Sequence, residues 1–239
     1  MRNTTRFSLK LLVLAAVVSA ASMTGRADTL VYNNTSNYLG TSYYVANTEF
    51  GDQITLSDST TDRYLSKFMF EYTTGHGNSG DEKVWLRFYA MDGPGLIPTP
   101  GSILFDSRTS GFPTDISLTS GTAEQVELSG ISIPVPNVLM QDGTTAASFT
   151  WTVQFSGVAA SETVGLIMYA PPTVGTTFDD YWEKSGTGWV TKRLPPNNYS
   201  FGALAYAVAV PEPGTLQLGV LAGISALGFL FQRRMRKRS

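Results

Sequence analysis

The side chains best suited to chemistry in this chain are concentrated between residues 178 and 189. The carboxylates of Asp179, Asp180 and Glu183 lie there among the rings of Tyr181, Trp182 and Trp189. Aromatic rings cover the apolar faces of sugars, and carboxylates accept hydrogen bonds from sugar hydroxyl groups. The pattern predicts a candidate carbohydrate site made of Tyr181, Trp182, Glu183 and Trp189. The alternative, favoured because buried Trp is common in β-sandwiches, is a hairpin with its rings in the core and its acids in solvent.

The same carboxylates make a poor catalytic pair. Asp179 and Asp180 are adjacent, so on a strand their side chains would point to opposite faces, whereas a glycosidase holds two carboxyl groups roughly 5 to 10 Å apart across a cleft. The only histidine, His76, lies in a glycine-rich turn near Asp81 and Glu82, where a general base would lack rigid support. The chain has no cysteine, which excludes thiol nucleophiles. We therefore expect no catalytic residue and a protein that is not an enzyme.

Metal-binding patterns are equally sparse. Without cysteine and with one histidine, the chain cannot build a thiolate zinc site, an iron–sulfur cluster or a histidine-rich site. The remaining candidates are acidic residues in expected loops that could hold a structural calcium ion: Asp52, Asp58, Asp62, Asp81, Glu82 and Asp92. None follows the Asp-x-Asp-x-Asp-Gly spacing of a calcium loop, so we expect neither a metal nor another cofactor.

The elements that must position these residues are β-strands, because apolar side chains from Thr29 onward recur mostly at every second position. The clearest strand covers Phe149 to Ser156, in which four apolar side chains alternate with polar ones. This alternation predicts one buried face and one solvent-exposed face. A second strand is predicted from Tyr64 to Tyr72. A third, Val84 to Met91, is largely apolar on both faces and is therefore expected at the centre of a sheet.

Shorter strand candidates are separated by turns rich in Gly, Pro, Asn and Asp, such as Ser185 to Gly188. These candidates are Leu30 to Asn33, Gln53 to Leu56, Ile103 to Ser107, Gln125 to Leu128, Val164 to Tyr169, Gly188 to Arg193 and Ser200 to Val208. About ten strands without an amphipathic helix predict an all-β, two-sheet sandwich of the jelly-roll type over residues 28–209.

Charge is divided between the ends and the body of the chain. Residues 1–27 carry four basic side chains and residues 233–238 carry five, whereas all 19 acidic residues lie between Asp28 and Glu212. Of the 17 basic residues, eight remain for the middle part, which has a net charge of −11. Such a body repels nucleic acid and anionic membrane surfaces, so we expect no nucleic-acid partner.

The first 27 residues have the organisation of a secretory signal peptide. Arg2, Arg6 and Lys10 precede an apolar stretch from Leu11 to Ala21, and cleavage is predicted after Ala27. The alternative, an uncleaved anchor helix, is disfavoured because about 11 apolar residues fall short of the roughly 20 that cross a bilayer. The sequence therefore predicts an exported protein with an amino-terminal signal helix.

The last 30 residues combine three features in a fixed order. Pro211, Glu212 and Pro213 precede the apolar stretch Leu216 to Phe231, which is followed by a basic tail. The tail consists of Arg233, Arg234, Arg236, Lys237 and Arg238. At ~1.5 Å per residue, the apolar stretch covers roughly 24 Å as a helix, just enough to span a bilayer. The positive charges keep the tail cytoplasmic, so the body is expected on the outer side of that membrane.

This arrangement resembles the PEP-CTERM sorting signal of Gram-negative bacteria, over residues 210–239. The resemblance implies an exosortase as partner, a membrane protease-transpeptidase that cuts near the Pro-Glu-Pro motif of an inner-membrane intermediate. Two prolines resist helix formation, so the motif stays extended where a protease can bind it. The product would be released, or transferred to the cell surface or extracellular matrix.

The body resembles the choice-of-anchor secreted domains, and choice-of-anchor R in particular. The stretches that carry this resemblance are Asp28 to Asn34, Glu49 to Ile54, Val84 to Gly95, Phe149 to Gly157, Pro171 to Gly175 and Phe178 to Glu183. The resemblance brings no catalytic residue with it. We therefore expect an exported, non-enzymatic structural or adhesive protein. A module that binds extracellular polysaccharide is the alternative, and a glycoside hydrolase is the third, least favoured hypothesis.

Overall fold

The computed structural model describes residues 28–45, 47–57, 63–75, 79–95, 97–110, 115–140, 143–193 and 200–209. These residues belong to one unit, Asp28–Ala209. The predicted signal helix and the predicted membrane-spanning helix lie outside the described residues, as do His76, Asp58 and Asp62. Within the described ranges, no helix is long and apolar enough to cross a membrane.

The described residues form sixteen β-strands in two antiparallel sheets, which confirms the prediction of an all-β fold. Sheet I contains seven strands: β1 (Thr29–Asn33), β2 (Tyr38–Tyr44), β4 (Arg63–Thr74), β8 (Glu124–Val135), β11 (Val164–Tyr169), β15 (Ser200–Phe201) and β16 (Ala203–Ala209). Sheet II contains nine: β3 (Phe50–Thr55), β5 (Lys83–Ala90), β6 (Ile103–Asp106), β7 (Ile116–Ser117), β9 (Asn137–Leu139), β10 (Thr145–Ser156), β12 (Thr176–Thr177), β13 (Tyr181–Ser185) and β14 (Gly188–Lys192).

Strand order places the longest predicted strands inside the sheets. In sheet I, β4 pairs with β8 along one side and with β16 and then β11 along the other. In sheet II the order is β14–β13–β3–β10–β5–β6. The central position expected for the strand from Val84 to Met91 is therefore confirmed, because β5 lies between β10 and β6. All seven shorter strand predictions also overlap strands of the structure.

The core lies between the two sheets and is rich in aromatic rings. Phe68 of sheet I contacts Phe88 of sheet II with ring centroids 4.8 Å apart, and Phe70 contacts Trp151 at 5.7 Å. All four side chains are fully buried. Burying a Phe side chain contributes about 1.5–3 kcal/mol, so these contacts stabilise the face-to-face packing of the sheets.

The prediction of a solvent-exposed face on β10 is wrong. The four apolar side chains of this strand face the core as expected, but Thr150 and Thr152 on the opposite face are also fully buried. The cause is the curl of sheet II. Trp189 of β14 contacts Tyr89 of β5, with ring centroids 5.1 Å apart, although three strands lie between them. We call this curled face, which carries Thr150, Thr152 and Tyr89, the concave face.

Candidate functional site

Strands β13 and β14 form the hairpin predicted around Ser185 to Gly188. Ser185 pairs with Gly188, so Gly186 and Thr187 make the turn. Gly186 has a φ of 61°, a left-handed conformation that side chains with a Cβ rarely adopt, which explains glycine at this position. Because side chains alternate along a strand, successive residues of the hairpin point to the core and to the concave face.

Tyr181 and Glu183 lie on the core side of the hairpin. Tyr181 is buried, its ring contacts Phe50, and its hydroxyl group is 2.5 Å from that of Tyr43. Burial raises the pKa of Tyr181, and the hydrogen bond with Tyr43 raises it further. Glu183 forms an ion pair with Lys192 on the neighbouring strand, with an N···O distance of 3.6 Å. Tyr181 is therefore part of the core packing.

Trp182 and Trp189 lie on the concave face in different surroundings. Trp182 is buried, and its ring stacks on Phe178 with a centroid distance of 6.0 Å and an interplanar angle of 12°. Trp189 is half-buried and contacts Tyr89 edge to face. The structure thus brings two of the four candidate carbohydrate residues onto one face, and Trp189 is the more accessible of the two.

The adjacent carboxylates Asp179 and Asp180 precede β13 and do not lie on a strand. Asp180 forms an ion pair with Arg193, with Nε 2.7 Å from Oδ1, and Asp179 is exposed. The two side chains therefore have different environments. Because neither residue lies on a strand, strand alternation does not account for this difference.

A charged cluster, which we call the Glu49 cluster, lies at one end of the concave face, next to the start of β3. Arg87 Nη1 is 2.5 Å from Glu49 Oε2, and Lys184 Nζ is 3.3 Å from the same oxygen. The hydroxyl groups of Tyr89 and Thr152 donate to Oε1 at 2.7 and 2.8 Å. Four elements contribute: the residue before β3, and strands β5, β10 and β13. Both oxygens of the Glu49 carboxylate are therefore occupied by protein donors.

The Glu49 cluster compensates for the burial of its charges. Glu49 is 5% and Arg87 6% exposed. A buried charge without partners costs several kcal/mol, and pairing with added hydrogen bonds offsets this cost. Burial, together with the hydrogen bond to Glu49, raises the pKa of Tyr89 even though Arg87 acts in the opposite direction. Tyr89 therefore remains protonated, and its hydroxyl group donates the hydrogen bond to Glu49.

Trp85 extends this arrangement towards β6. The guanidinium carbons of Arg87 and Arg108 are 3.0 and 3.7 Å from the centroid of the Trp85 ring. Trp85 Nε1 donates to Asp106 at 2.7 Å, and Asp106 lies 3.6 Å from Arg87 Nε. Cations close to an aromatic face are attracted by its π electrons, so the Trp85 ring is engaged within the protein.

Two carboxylates, Glu49 and Asp106, contact the same cation, Arg87. A glycosidase needs one carboxyl group to donate a proton and another to face the sugar across a cleft. Here an arginine occupies the space between the two groups. This geometry suits folding and recognition better than acid–base chemistry.

An open cleft of about 260 Å³ lies at the other end of the concave face. Its apolar lining residues are Ile97, Pro98, Met140, Ala146 and Phe178. Its polar lining residues are Gln53, Thr55, Thr144 and Thr176. None of these side chains is charged, which distinguishes the cleft from the Glu49 cluster. This cleft could not be predicted from the sequence, because its residues come from separate segments that only the folded sheet brings together.

Asp52, one of the calcium candidates, is a second buried carboxylate, on the core side of β3. It is 0% exposed, and its Oδ2 accepts the Phe201 N–H at 2.6 Å. Its Oδ1 has no hydrogen-bond partner among the described residues. Burial raises the pKa of Asp52 well above its ordinary value, because the charged form loses its hydration.

The other calcium candidates in the described ranges lie in surface loops. Glu82 accepts two backbone N–H groups of its own loop at 3.0 Å, Asp92 accepts the N–H of Ser102 at 2.6 Å, and Asp81 is exposed. Nowhere in the described part of the chain do three His, Cys, Asp or Glu side chains form a group that could hold a metal ion.

The predicted sorting motif and the basic tail fall outside the described residues. They comprise Pro211, Glu212, Pro213, Arg233, Arg234, Arg236, Lys237 and Arg238.

In comparisons with known proteins, the chain matches no protein-family model, no curated protein and no solved structure.

Proposed function

We propose that the protein is an exported, non-enzymatic component of the cell surface or extracellular matrix that an exosortase sorts. The observation that carries this proposal is the order of three features at the end of the chain: the Pro-Glu-Pro motif at 211–213, the apolar stretch at 216–231 and the basic tail at 233–238. The apolar stretch has the length of a membrane span, and the basic tail sets its orientation.

The proposal includes the processing of both ends. The signal peptide at residues 1–27 is removed, and the chain is held in the inner membrane by a helix until the exosortase acts. The domain at 28–209 then becomes the extracellular product, a jelly-roll-like member of the choice-of-anchor group. The absence of cysteine and the charge of −10 over residues 28–209 support this role, because the domain needs no disulfide and is repelled by anionic lipid.

The Glu49 cluster supports a non-enzymatic role. Its carboxylate, that of Glu49, contacts Arg87, and the side chains of Tyr89, Thr152 and Lys184 complete the contacts of Glu49. Groups that are engaged in this way stabilise the fold and are not free to transfer protons to a substrate.

Replacing Glu212 tests the sorting proposal. In the cell that produces the protein, Glu212→Ala is expected to stop processing, so that the chain keeps its tail and fractionates with the inner membrane. Wild-type protein is expected to lose the residues after the motif. Intact-mass spectrometry of each fraction measures both outcomes. Glu127→Ala, a change of the same type on β8, is the matched control and should be processed normally.

The mass of mature wild-type protein shows whether the tail is removed or kept as a permanent anchor. If it still contains residues 233–239, the tail is a permanent anchor and the sorting proposal is wrong.

A second candidate function, binding of extracellular polysaccharide, is favoured by the concave face of sheet II. Concave surfaces that combine aromatic rings with a few fixed polar groups are typical of small-molecule sites. Here the half-buried Trp189 and the uncharged cleft near Phe178 lie on one such face.

A further inference from the structure

The two ends of the concave face differ in their capacity to bind a ligand. In the Glu49 cluster, both carboxylate oxygens already accept hydrogen bonds or ion pairs from protein groups. At the other end lies the cleft of about 260 Å³, which no side chain of the described residues fills. A ligand on this face is therefore expected at the uncharged end.

The polar side of the cleft is held in place by β3. The Gln53 carbonyl oxygen accepts the N–H of Phe178 at 3.0 Å, which fixes the backbone on both sides of the cleft. The Gln53 side chain is buried, and its Nε2 donates to Ser148 Oγ at 3.4 Å, a long hydrogen bond. The hydroxyl-bearing side chains of Thr55 and Thr176 line the same space. The cleft thus presents an amide and hydroxyl groups in fixed positions.

The apolar side of the cleft is equally rigid. The Phe178 ring is supported by the buried Trp182, on which it stacks at an interplanar angle of 12°. Met140 and Pro98 complete this side. A supported aromatic ring offers a flat apolar surface at little cost in side-chain entropy.

The lining disfavours two classes of ligand, anions and hydrocarbons. Among the described residues that line the cleft, an anionic ligand would find no cation, and the middle part of the chain, with its net charge of −11, would repel it. A hydrocarbon would cover the Gln53 amide and the Thr176 hydroxyl group without offering either a hydrogen bond, which disfavours its binding. A sugar ring without charge has apolar faces for Phe178 and hydroxyl groups for the polar side.

Size sets the length of the ligand. The cleft is slightly smaller than the roughly 300–1,000 Å³ of sites for drug-sized molecules. The cleft therefore admits one sugar ring and not a longer segment of a polysaccharide.

We propose that this cleft binds a single ring of a neutral sugar, as the terminal unit of a polysaccharide presents it. The proposal rests on the second candidate function and gives it a location that differs from the hairpin site predicted from the sequence.

Binding to simple glycosides tests the proposal. The mature protein, purified from the producing cell, is titrated with the methyl glycosides of glucose, galactose, mannose and N-acetylglucosamine, and with glucuronic acid. Saturation-transfer NMR detects binding, and calorimetry measures the dissociation constant. At least one neutral glycoside is expected to bind, and glucuronic acid is not.

Variants locate the site. Phe178→Ala is expected to weaken binding at least about tenfold, because it removes the apolar surface under the ring. Thr176→Val keeps the side-chain shape and is expected to weaken binding about three- to tenfold through the loss of one hydroxyl group. Thr191→Val, the same change on β14 outside the cleft, should have no effect. Thr176 is exposed, so its variant tests the cleft even if Phe178→Ala does not fold.

Three results would overturn the cleft proposal. The first is binding of no neutral glycoside, and the second is binding of glucuronic acid alone. The third is neutral-sugar binding that survives both cleft variants but is lost in Trp189→Leu, which would place polysaccharide recognition at the hairpin and preserve the second candidate function. The mass of the same mature sample reports on the sorting proposal separately.

Discussion

Glu49 and Asp52 are buried carboxylates only three residues apart, yet they lie in opposite environments. Glu49, on the concave face, has two cations and two hydroxyl donors within 3.3 Å. Asp52, on the core side of β3, has one backbone N–H partner and a second oxygen without a hydrogen bond among the described residues. A buried charge needs compensation, so the first group is balanced by cations, and the second is expected to stay protonated.

The difference shows that the two faces of one strand impose different chemistry. The concave face is polar and closed over by the β13–β14 hairpin, so it can bring a lysine and an arginine to the same carboxylate. The core face is filled by aromatic rings such as Trp151 and Phe201. There, a proton is the simplest means of neutralising Asp52.

The largest expected effect comes from removing the main cation of Glu49. Arg87→Met keeps an apolar stem against Trp85 but leaves Glu49 buried without its closest partner. Breaking one side of a buried ion pair typically costs about 3–5 kcal/mol, so we expect a loss of this size in the free energy of unfolding. Urea denaturation followed by Trp fluorescence measures it.

Arg108→Met is the control for this experiment. Arg108 contacts the same Trp85 ring, but its side chain is 38% exposed and pairs with Asp115. Its replacement should cost less than about 1 kcal/mol. Equal losses in the two variants would show that the Glu49 cluster is no more sensitive than the surface.

The next effect depends on pH and concerns Asp52. The pKa of Asp52 is raised in the folded state above the ordinary value of 3.8. At a pH between the ordinary pKa and the raised pKa, the unfolded chain has released the Asp52 proton and the folded chain still holds it. The contribution of Asp52 to wild-type stability is therefore full below the ordinary value, and it falls as pH rises above it, by at most about 1.4 kcal/mol per pH unit.

Asp52→Asn removes this dependence. The variant is expected to gain stability over the wild type as pH rises from about 4 to about 7, as measured by urea denaturation at each pH. Asp92→Asn is the control with the opposite sign, because hydrogen bonds from Ser102 lower the pKa of Asp92 in the folded state. A difference between Asp52→Asn and wild type that does not change with pH would mean that Asp52 is charged in the fold.

The smallest effect is expected for the outer cation of the Glu49 cluster. Lys184 is 33% exposed, and Arg87 remains next to Glu49 when it is removed. Lys184→Met should therefore cost about 0.5–1 kcal/mol, and the loss should shrink at high salt because exposed charges are screened. Urea denaturation in low and high salt checks this. A loss as large as that of Arg87→Met would show that the two cations are equivalent.

The strands were predictable because alternation is a local property of the sequence. The strand from Tyr38 to Tyr44 was missed, since most of its side chains are exposed and show no alternation. It is held mainly by its pairing with β11, and such a partner cannot be inferred from the strand itself. The buried state of Thr150 and Thr152 was missed for a similar reason, because it depends on a hairpin that lies far along the chain.

The site was less predictable than the fold. One signal of the Glu49 cluster was present: Arg87 lies in the middle of a strand that is otherwise largely apolar on both faces, and a buried cation needs a partner. The identity of that partner depends on strand order. Side chains of adjacent strand residues point to opposite faces of a sheet. This rule, which was used for Asp179 and Asp180, also predicts that Tyr181 and Trp182 lie on opposite faces, because these two residues are adjacent on β13.

The position of β16 has a mechanical consequence. This last described strand lies between β1 and β4 and pairs with both along most of its length. Traction applied to the chain beyond Ala209 would load two hydrogen-bonded ladders at once, and the strand could be extracted only by rupturing both. The sandwich is therefore reinforced at the end through which a surface attachment would transmit force.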